Sequence, residues 1–410
     1  MVSPTAAWSA EQVVGDLLSD ERVRRAFEFF GARAEEITEE HAALCAIPSP
    51  PFGEEARAEY LAARLRQCGL AEARVDAEGN CVAPRRGKSL RPLAVVSAHL
   101  DTVFPEGTDF TVRREGSRML APGVADDGCG LAALVALARS LDESGIETEG
   151  SLLFVGTVGE EGEGNLRGAR HLLTAGEWAG GIDLFVSLDG PGVERITHAA
   201  VGSRRYRVRF AGAGGHSWGD FGAANPVHAL GRAVARLAAY PAPTQPRTSF
   251  NVGRVEGGTG VNVIPQEASM DVDLRSESPE ELRRLDAFFR RAAREAAGDE
   301  NAARRAGTPP VELELKMIGD RPGGQTPIDS PLVLLSQAAT RAVGYQPRLD
   351  SSSTDSNVAI SLNVPAVTLG AGGASGSSHT TEEWYDPRQR DHGLKRALLV
   401  ALGAVGIRSY

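Results

Sequence analysis

The sequence lacks any hydrophobic run close to the roughly 18 residues that a membrane-spanning helix needs. Its first residues, Met1 to Ala10, have no charged region followed by a long apolar core, so we expect neither a secretory signal nor a membrane anchor. Basic tracts are also missing, and the formal net charge is -10. This charge argues against nucleic acid or an anionic membrane as a partner.

Cysteine is scarce, with four residues in a chain of 410, namely Cys45, Cys68, Cys81 and Cys129. Because they are scattered, they predict neither a disulfide framework nor a cysteine metal site, and they favour a reducing cytoplasm. The composition that remains, 42% hydrophobic and 24% charged, is typical of a soluble globular protein. The length predicts two domains.

Four short apolar runs predict strands that are buried on both faces. They are Leu93–Ala98, Leu152–Val155, Leu184–Leu188 and Pro365–Leu369. Helical patterns separate them, and one predicted helix opens at Gly128 and Gly130, directly after the pair Asp126-Asp127. We therefore expect an α/β fold, with a mostly parallel central sheet flanked by helices.

Between these strands the pattern changes to a period of two, which predicts antiparallel strands with one wet face. The alternation occurs around residues 206–210, 270–274 and 311–317. Asn225-Pro226 predicts one helix start, and Ser278-Pro-Glu-Glu281 predicts another with a capping box. We expect residues 203–316 to form an inserted α+β domain, with 1–202 and 317–410 forming the α/β domain.

Polar residues of metal-ligand type follow each of the four predicted strands. Since the carboxyl ends of parallel strands meet at one edge of a sheet, we expect these side chains to lie close together. In chain order they are His99, Asp101, Glu160, Glu161, Asp189 and His379. The nearby acids Glu163, Asp183, Glu382 and Glu383 are expected at the surface.

A pair of zinc ions calls for about five carboxylate or imidazole ligands, one of them shared. We predict that Asp126 bridges the two metals. His99 and Asp189 would then bind one metal, and Glu161 and His379 the other.

Two further residues beside the predicted ligands have distinct expected roles. Asp101 stands two residues from His99, where its carboxylate could accept the second imidazole proton and fix the tautomer. Glu160 stands beside a ligand, where a general base belongs.

These residues resemble, in order and spacing, a family of dinuclear zinc exopeptidases that includes peptidase T, glutamate carboxypeptidase, aminoacylase and acetylornithine deacetylase. The resemblance rests on five motifs, His99-Leu-Asp101-Thr, Ala125-Asp126-Asp127, Gly159-Glu160-Glu161-Gly, Asp189 and His379-Thr. It implies two Zn²⁺ ions, which Co²⁺ or Mn²⁺ could replace, with Asp126 as the bridging ligand and Glu160 as the base. It also implies a cis peptide bond between Asp126 and Asp127.

The resemblance extends into the predicted insert. Gly214-Gly215-His216-Ser217 resembles the segment whose histidine reaches the active site of a partner subunit and stabilises an oxyanion. Asn262-Val-Ile-Pro265 and Arg275 resemble residues that bind a substrate carboxylate. The insert would thus act as a lid, and it would form a homodimer.

The expected activity is hydrolysis of an amide bond in short peptides by metal-activated water, with Glu160 moving the proton. The segments Ser353–Asn357 and Gly370–Gly373 resemble most the peptidase T-like branch of di- and tripeptidases. An N-acyl amino acid deacylase and a glutamate carboxypeptidase-like hydrolase remain alternatives on the same site. A binding module without catalysis is also open, and the end of the peptide that is recognised is not predicted.

Overall fold

The computed structural model describes residues 9–408. The expectation for Met1 to Ala10 therefore lies outside the described residues, except for Ser9 and Ala10. The chain divides into two compact units, of which one comprises the chain up to Ala200 and from Gln325 onward. The other comprises Val201–Gly324. Among residues 9–408, no helix has both the length and the apolar character needed to cross a bilayer.

Helices alternate with strands along the first unit, whereas most elements of the second unit are strands. The helices are α1 (Ala10–Ser19), α2 (Glu21–Ala32), α3 (Ala34–Cys45), α4 (Glu55–Gln67), α5 (Gly128–Glu143), α6 (Arg167–Thr174), α7 (Pro226–Ala238), α8 (Pro279–Ala303), α9 (Pro331–Ala342), α10 (Ser356–Ser361) and α11 (Arg390–Val405). The strands are β1 (Arg74–Val75), β2 (Cys81–Arg85), β3 (Leu93–His99), β4 (Arg113–Glu115), β5 (Arg118–Leu120), β6 (Ser151–Thr157), β7 (Leu184–Leu188), β8 (Arg195–Ala200), β9 (Gly202–Ala211), β10 (Gly215–His216), β11 (Thr248–Gly257), β12 (Val263–Ile264), β13 (Glu267–Ser276), β14 (Glu312–Arg321), β15 (Gly324–Gln325), β16 (Arg348–Ser352), β17 (Ala366–Leu369), β18 (Ala374–Gly376) and β19 (Trp384–Asp386).

The central sheet of the first unit has the four predicted strands side by side at its middle. The order of neighbours is β1-β2-β6-β3-β7-β17-β8, and β16 pairs with β8. Strand β3 runs parallel to β6 and β7, and β17 runs parallel to β7. Strands β2 and β8 are antiparallel to their neighbours β6 and β17. The predicted α/β architecture with a mostly parallel sheet is confirmed, and the four carboxyl ends lie at one edge.

Helix α5 is the buried support of this sheet. Its apolar residues Leu131, Leu134 and Leu141 are at most 1% exposed, and each buried leucine contributes about 2 kcal/mol of transfer free energy. The side chain of Asp127 caps the helix by accepting the N–H of Gly130 at 3.1 Å. The apolar face therefore fixes the helix, and the helix start fixes the Asp126-Asp127 pair.

The second unit is an antiparallel sheet with helices on one face. Its strand order is β11-β13-β9-β14, and α7 and α8 share an apolar core with the inward-facing residues. On the other face charged residues pair across strands, with Arg207 on Asp271 and Arg205 on Asp273. The period-two alternation read from the sequence reflects these two faces.

The starts of the two helices show how local sequence sets their ends. Asn225 caps α7, and the hydroxyl of Ser278 caps α8 by accepting the N–H of Glu281. The reciprocal half of the expected capping box is absent, because the N–H of Ser278 donates to the hydroxyl of Ser276 instead. The unit ends at Gly324 rather than at residue 316, which lies inside β14.

Candidate metal centre

The carboxyl ends of the parallel strands bring the predicted residues of the first unit together. His99 is the last residue of β3, and Asp189 follows β7 directly. Glu160 and Glu161 lie just beyond β6, and His379 lies between β18 and β19, the hairpin that follows β17. Side chains that are remote along the chain thus share one edge of the sheet, as open α/β sheets generally arrange their sites.

Asp126 lies at the centre of this cluster, with one carboxylate oxygen turned toward each imidazole. Its Oδ1 is 2.8 Å from Nε2 of His99, and its Oδ2 is 3.0 Å from Nε2 of His379. The same His379 nitrogen is 3.2 Å from Oε1 of Glu161. A carboxylate that faces two sides in this way has the geometry of a bridging ligand.

Two groups of three ligand atoms share Asp126. In the first, His99, Asp126 and Asp189 offer atoms that lie within 4.8 Å of one another, and in the second, Asp126, Glu161 and His379 do the same. Two imidazoles with three carboxylates form a donor set that suits a pair of divalent transition-metal ions such as zinc. The residues present therefore fit a dinuclear site.

Hydrogen bonds and burial shift the pKa values of this cluster strongly. Burial, followed by the charge of Asp126, raises the pKa of Asp189 to about 6. Hydrogen bonds to Asp126 and Glu161 raise the pKa of His379 to about 10. Burial lowers the pKa of His99, but the neighbouring carboxylates, Asp101 and Asp126 foremost, raise it well above its usual range. Imidazoles with raised pKa values hold protons that a bound metal would displace, so we expect metal binding to release protons.

His379 also has an unusual backbone conformation for a residue with a side chain. Its φ is +62°, in the left-handed region, which costs a residue other than glycine about 1–2 kcal/mol. Strained conformations of this kind occur most often at functional sites, where contacts with the surrounding structure hold them in place. In this strained backbone conformation, the imidazole of His379 lies against Asp126 and Glu161.

Asp101 is fully buried and holds the turn that carries Glu160 and Glu161. Its Oδ1 accepts the N–H of Glu160 at 3.0 Å, and its Oδ2 accepts the N–H of Glu161 at 2.7 Å. The expected contact of this carboxylate with His99 is long, at 3.7 Å from Nδ1. Nδ1 lies 2.9 Å from the main-chain carbonyl oxygen of Asp101, so the carbonyl accepts the proton and fixes the tautomer.

Asp127 ties three main-chain segments together at this edge. Its Oδ2 accepts the N–H of His99 at 3.1 Å, and its Oδ1 accepts the N–H groups of Gly130 at 3.1 Å and Gly190 at 3.2 Å. One buried carboxylate thus joins the end of β3, the start of α5 and the residue after Asp189. The peptide bond between Asp126 and Asp127 is cis, as the resemblance implies.

Glu383 was expected at the surface, and that expectation is wrong. Its side chain is 0% exposed and accepts N–H groups of Gly123, Ala125 and Asp126 at 3.2, 2.7 and 3.0 Å. The sequence signal for burial was weak, since it consisted of Trp384 and Tyr385, which follow as part of β19. The residue therefore belongs to the site through the main chain of the Asp126 loop.

In the second unit, the segments of His216 and Asn262 are neighbours. Strand β10 pairs with β12, and the N–H of Ser217 donates to the carbonyl oxygen of Asn262 at 3.0 Å. Nδ1 of His216 accepts the N–H groups of Trp218 at 3.1 Å and Gly219 at 3.3 Å. A neutral ring therefore carries its proton on Nε2.

Arg275 is not brought together with these two residues. It lies near the far end of β13, beside Ser203 and Ser249, and its Nε donates to Asp273 at 2.6 Å. Strand β13 begins at Glu267, close to the β12 segment, and a strand of that length spans about 30 Å. Within one copy of this unit, Arg275 and Asn262 therefore lie at opposite ends of the sheet.

Comparison with known proteins places this arrangement in a family. A model of the peptidase family M20/M25/M40 matches residues 95–402, a range that includes every proposed metal ligand. The uncharacterized protein YqjE of Bacillus subtilis is 28% identical over 308 residues, which are 72% of this chain and 76% of that protein. A succinyl-diaminopimelate desuccinylase of Corynebacterium glutamicum is 28% identical over 239 residues, 57% of this chain and 64% of its own.

The fold is also found among solved structures. The crystal structure of the aminopeptidase PepT from Bacillus cereus has a TM-score of 0.73 with this chain at 21% sequence identity. The match covers 90% of this chain and 98% of that structure. Because the family model spans most of the chain and the strands bring its ligand-type residues to one edge, the chain belongs to the peptidase family M20/M25/M40.

Proposed function

We propose that this protein is a metal-dependent exopeptidase that hydrolyses the amide bond of short peptides with two divalent cations at the Asp126 cluster. The observation that carries the proposal is the carboxylate of Asp126, whose two oxygens face His99 and His379 at 2.8 and 3.0 Å. Asp189 and Glu161 complete the two ligand groups. We propose zinc as the native metal, with cobalt or manganese able to replace it, because the ligands are imidazoles and carboxylates.

When bound, the two cations would polarise a substrate carbonyl and lower the pKa of a water molecule toward neutrality. Glu160 would take the proton that this water loses and return it to the leaving amine. Glu160 is 5% exposed, and its carboxylate offers an atom within 4.8 Å of ligand atoms on His99 and Glu161. The carboxylate of Asp101, which accepts the main-chain N–H groups of Glu160 and Glu161, fixes the turn in which Glu160 stands.

The second unit would supply the substrate contacts. His216 carries its free proton on Nε2, the nitrogen that could donate to negative charge developing on the carbonyl oxygen. Asn262 and Arg275 are proposed to bind the substrate carboxylate, for which a guanidinium is well suited.

The alternative is removal of an acyl group from an N-acyl amino acid. It is supported by the similarity to a desuccinylase, a protein whose name describes such a reaction. A glutamate carboxypeptidase-like activity would use the same residues. Both alternatives need the same amide chemistry, so they differ from the first proposal in substrate alone.

A substrate panel with metal analysis tests the proposal. The purified protein would be analysed for bound metal, loaded with zinc, and assayed with a tripeptide, a dipeptide blocked at its amino end, an acetylated amino acid and a succinylated amino acid. We expect two metal ions per chain and fastest hydrolysis of the tripeptide. Preference for an acylated amino acid would favour the deacylase alternative. The absence of hydrolysis with two bound metals would refute the peptidase proposal and both alternatives.

We also propose that two copies associate through the second unit. Strand β11 is an edge of its sheet and carries Val255, which is 56% exposed. Further exposed apolar side chains follow β10, with Trp218 87% and Phe221 80% exposed, and precede β12, with Val261 103% exposed. In addition, Asn262 and Arg275 can bind one small substrate only if different copies supply them.

Sedimentation equilibrium tests this association. We expect a dimer for the unchanged protein, a monomer for Val255→Lys, and a dimer for Met317→Lys on the opposite edge strand β14. A fully active monomer would count against a role of His216 in a neighbouring copy.

A cytoplasmic location is also proposed, because it fits the four cysteines, all of which are free and buried.

A further inference from the structure

One side chain accepts three of the main-chain N–H groups in the loop from Gly123 to Asp126. Oε1 of Glu383 accepts the N–H groups of Ala125 and Asp126 at 2.7 and 3.0 Å, and Oε2 accepts that of Gly123 at 3.2 Å. The side chain is 0% exposed. A buried carboxylate is costly unless its oxygens are hydrogen-bonded, so these three bonds both stabilise Glu383 and define the loop.

The opposite side of the loop is held by a histidine. Nε2 of His41 donates to the carbonyl oxygen of Val124 at 2.6 Å, and Nη2 of Arg390 lies 3.4 Å from Nδ1 of the same ring. His41 and Arg390 are both buried. The loop is therefore fixed through its N–H groups on one side and through a carbonyl group on the other.

Glu383 and His379 belong to the same short segment, and both reach Asp126. His379 contacts the side chain of Asp126, with Nε2 at 3.0 Å from Oδ2, whereas Glu383 contacts its main-chain N–H at 3.0 Å. The segment that supplies a ligand therefore also sets the backbone of the ligand it faces. A shift of this segment would move both groups together.

We propose that Glu383 is a positioning residue that holds the Asp126 loop in the conformation required for a metal pair. The inference rests on the proposed dinuclear site. Both carboxylate oxygens of Glu383 are hydrogen-bonded to main-chain N–H groups, and the residue acts through the main chain of the bridging ligand. Residues of this kind typically change metal affinity by roughly 10–100-fold when they are replaced.

The test compares Glu383→Gln with Glu382→Gln, because Glu382 is the adjacent acid and its side chain is 74% exposed. A glutamine keeps one acceptor oxygen but turns an NH₂ group toward main-chain N–H donors. Metal-free protein would be titrated with Co²⁺ against a competing chelator, and the visible spectrum would be recorded at saturation. We expect at least tenfold weaker binding and an altered cobalt spectrum for Glu383→Gln, and neither change for Glu382→Gln.

Hydrogen exchange on the metal-free proteins gives a readout that does not depend on activity. The amides of Gly123, Ala125 and Asp126 should exchange faster in Glu383→Gln, while those in the middle of α5 stay protected. If Glu383→Gln does not fold, Glu383→Asp, which keeps the charge and shortens the reach, undergoes the same measurements, with at least tenfold weaker binding again expected.

The outcomes separate this inference from the proposed function. Two cobalt ions bound by the unchanged protein and by Glu382→Gln, with weakened binding and an altered spectrum in the Glu383 variant, support it. Equal affinity and an unchanged spectrum in the Glu383 variant overturn the inference and leave the proposed function intact. A loss of thermal stability with an unchanged spectrum and affinity shows a purely structural role and overturns it as well. Failure of the unchanged protein to bind two cobalt ions overturns the dinuclear site itself, and the inference with it.

Discussion

The carboxylate of Asp101 accepts the main-chain N–H of Glu160 at 3.0 Å, although the two residues lie 59 positions apart. Asp101 follows β3 and Glu160 follows β6, and these strands are parallel neighbours. The bond thus fixes the proposed base relative to His99, which ends β3. Preorganisation of this kind allows a base to meet a proton without moving.

Replacing Glu160 should greatly lower kcat without any loss of bound metal. For Glu160→Gln we expect kcat to fall by about 100-fold or more, since a positioned general base contributes roughly 10²–10⁴, while metal content stays unchanged. The matched control is Glu163→Gln, an exposed acid in the same turn. A decrease below tenfold with full metal occupancy would show that another residue acts as the base.

Asp101→Asn should disturb the turn that carries the Glu160–Glu161 pair. One carboxylate oxygen becomes an NH₂ group, which cannot accept the N–H of Glu160 or Glu161, so we expect roughly 10–100-fold weaker metal binding and lower kcat. Asp109→Asn serves as a control, because Asp109 accepts a local bond from Thr111. If Asp101→Asn binds metal and turns over substrate normally, the main-chain bonds have no role in positioning.

Metal uptake should release protons at neutral pH. Hydrogen bonds to Asp126 and Glu161 raise the pKa of His379 to about 10, and the pKa of His99 is also raised above its usual range. Both rings must lose a proton to bind metal, so apparent metal affinity should increase with pH up to the pKa of His379. Calorimetric titration with zinc in buffers of different ionisation enthalpy measures the protons released. A value of zero at pH 7 would contradict the charged state of these rings.

His41 should make the first unit less stable in acid. Burial, with the charge of Arg390, lowers its pKa from 6.5 to about 3. Between these pH values the unfolded chain binds a proton that the folded chain does not, so the free energy of unfolding falls as the pH falls. The expected slope from this residue is about 1.4 kcal/mol per pH unit.

Urea unfolding of the metal-free protein between pH 7 and 5 measures this slope. His41→Gln, whose amide can still donate to Val124, should have a smaller slope than the unchanged protein. His228→Gln is the control, because the side chain of His228 is 65% exposed. Equal slopes for all three proteins would show that His41 does not titrate as its burial implies.

The local elements were predictable because short-range periodicity records burial. The run Leu93–Ala98 became β3, and the helical spacing after Gly128 became α5, with its apolar residues inside the core. The capping box predicted at Ser278 forms only in half, since the hydroxyl of Ser276 accepts the N–H of Ser278. Contacts between residues of different strands could not be predicted in this way, because a local sequence pattern does not identify a contact partner far along the chain.

The sequence by itself determined the strands, the helix starts and the order of the ligand-type residues, because these depend on the side chains of a few consecutive positions. Tertiary structure alone decided that Glu383 is buried against the loop of Asp126, 257 positions away. It also decided that the carbonyl of Asp101, rather than its carboxylate, receives the proton of His99. The physical reason is that a hydrogen bond depends on distance and direction to within fractions of an ångström, and only the packed sheet and helices fix both.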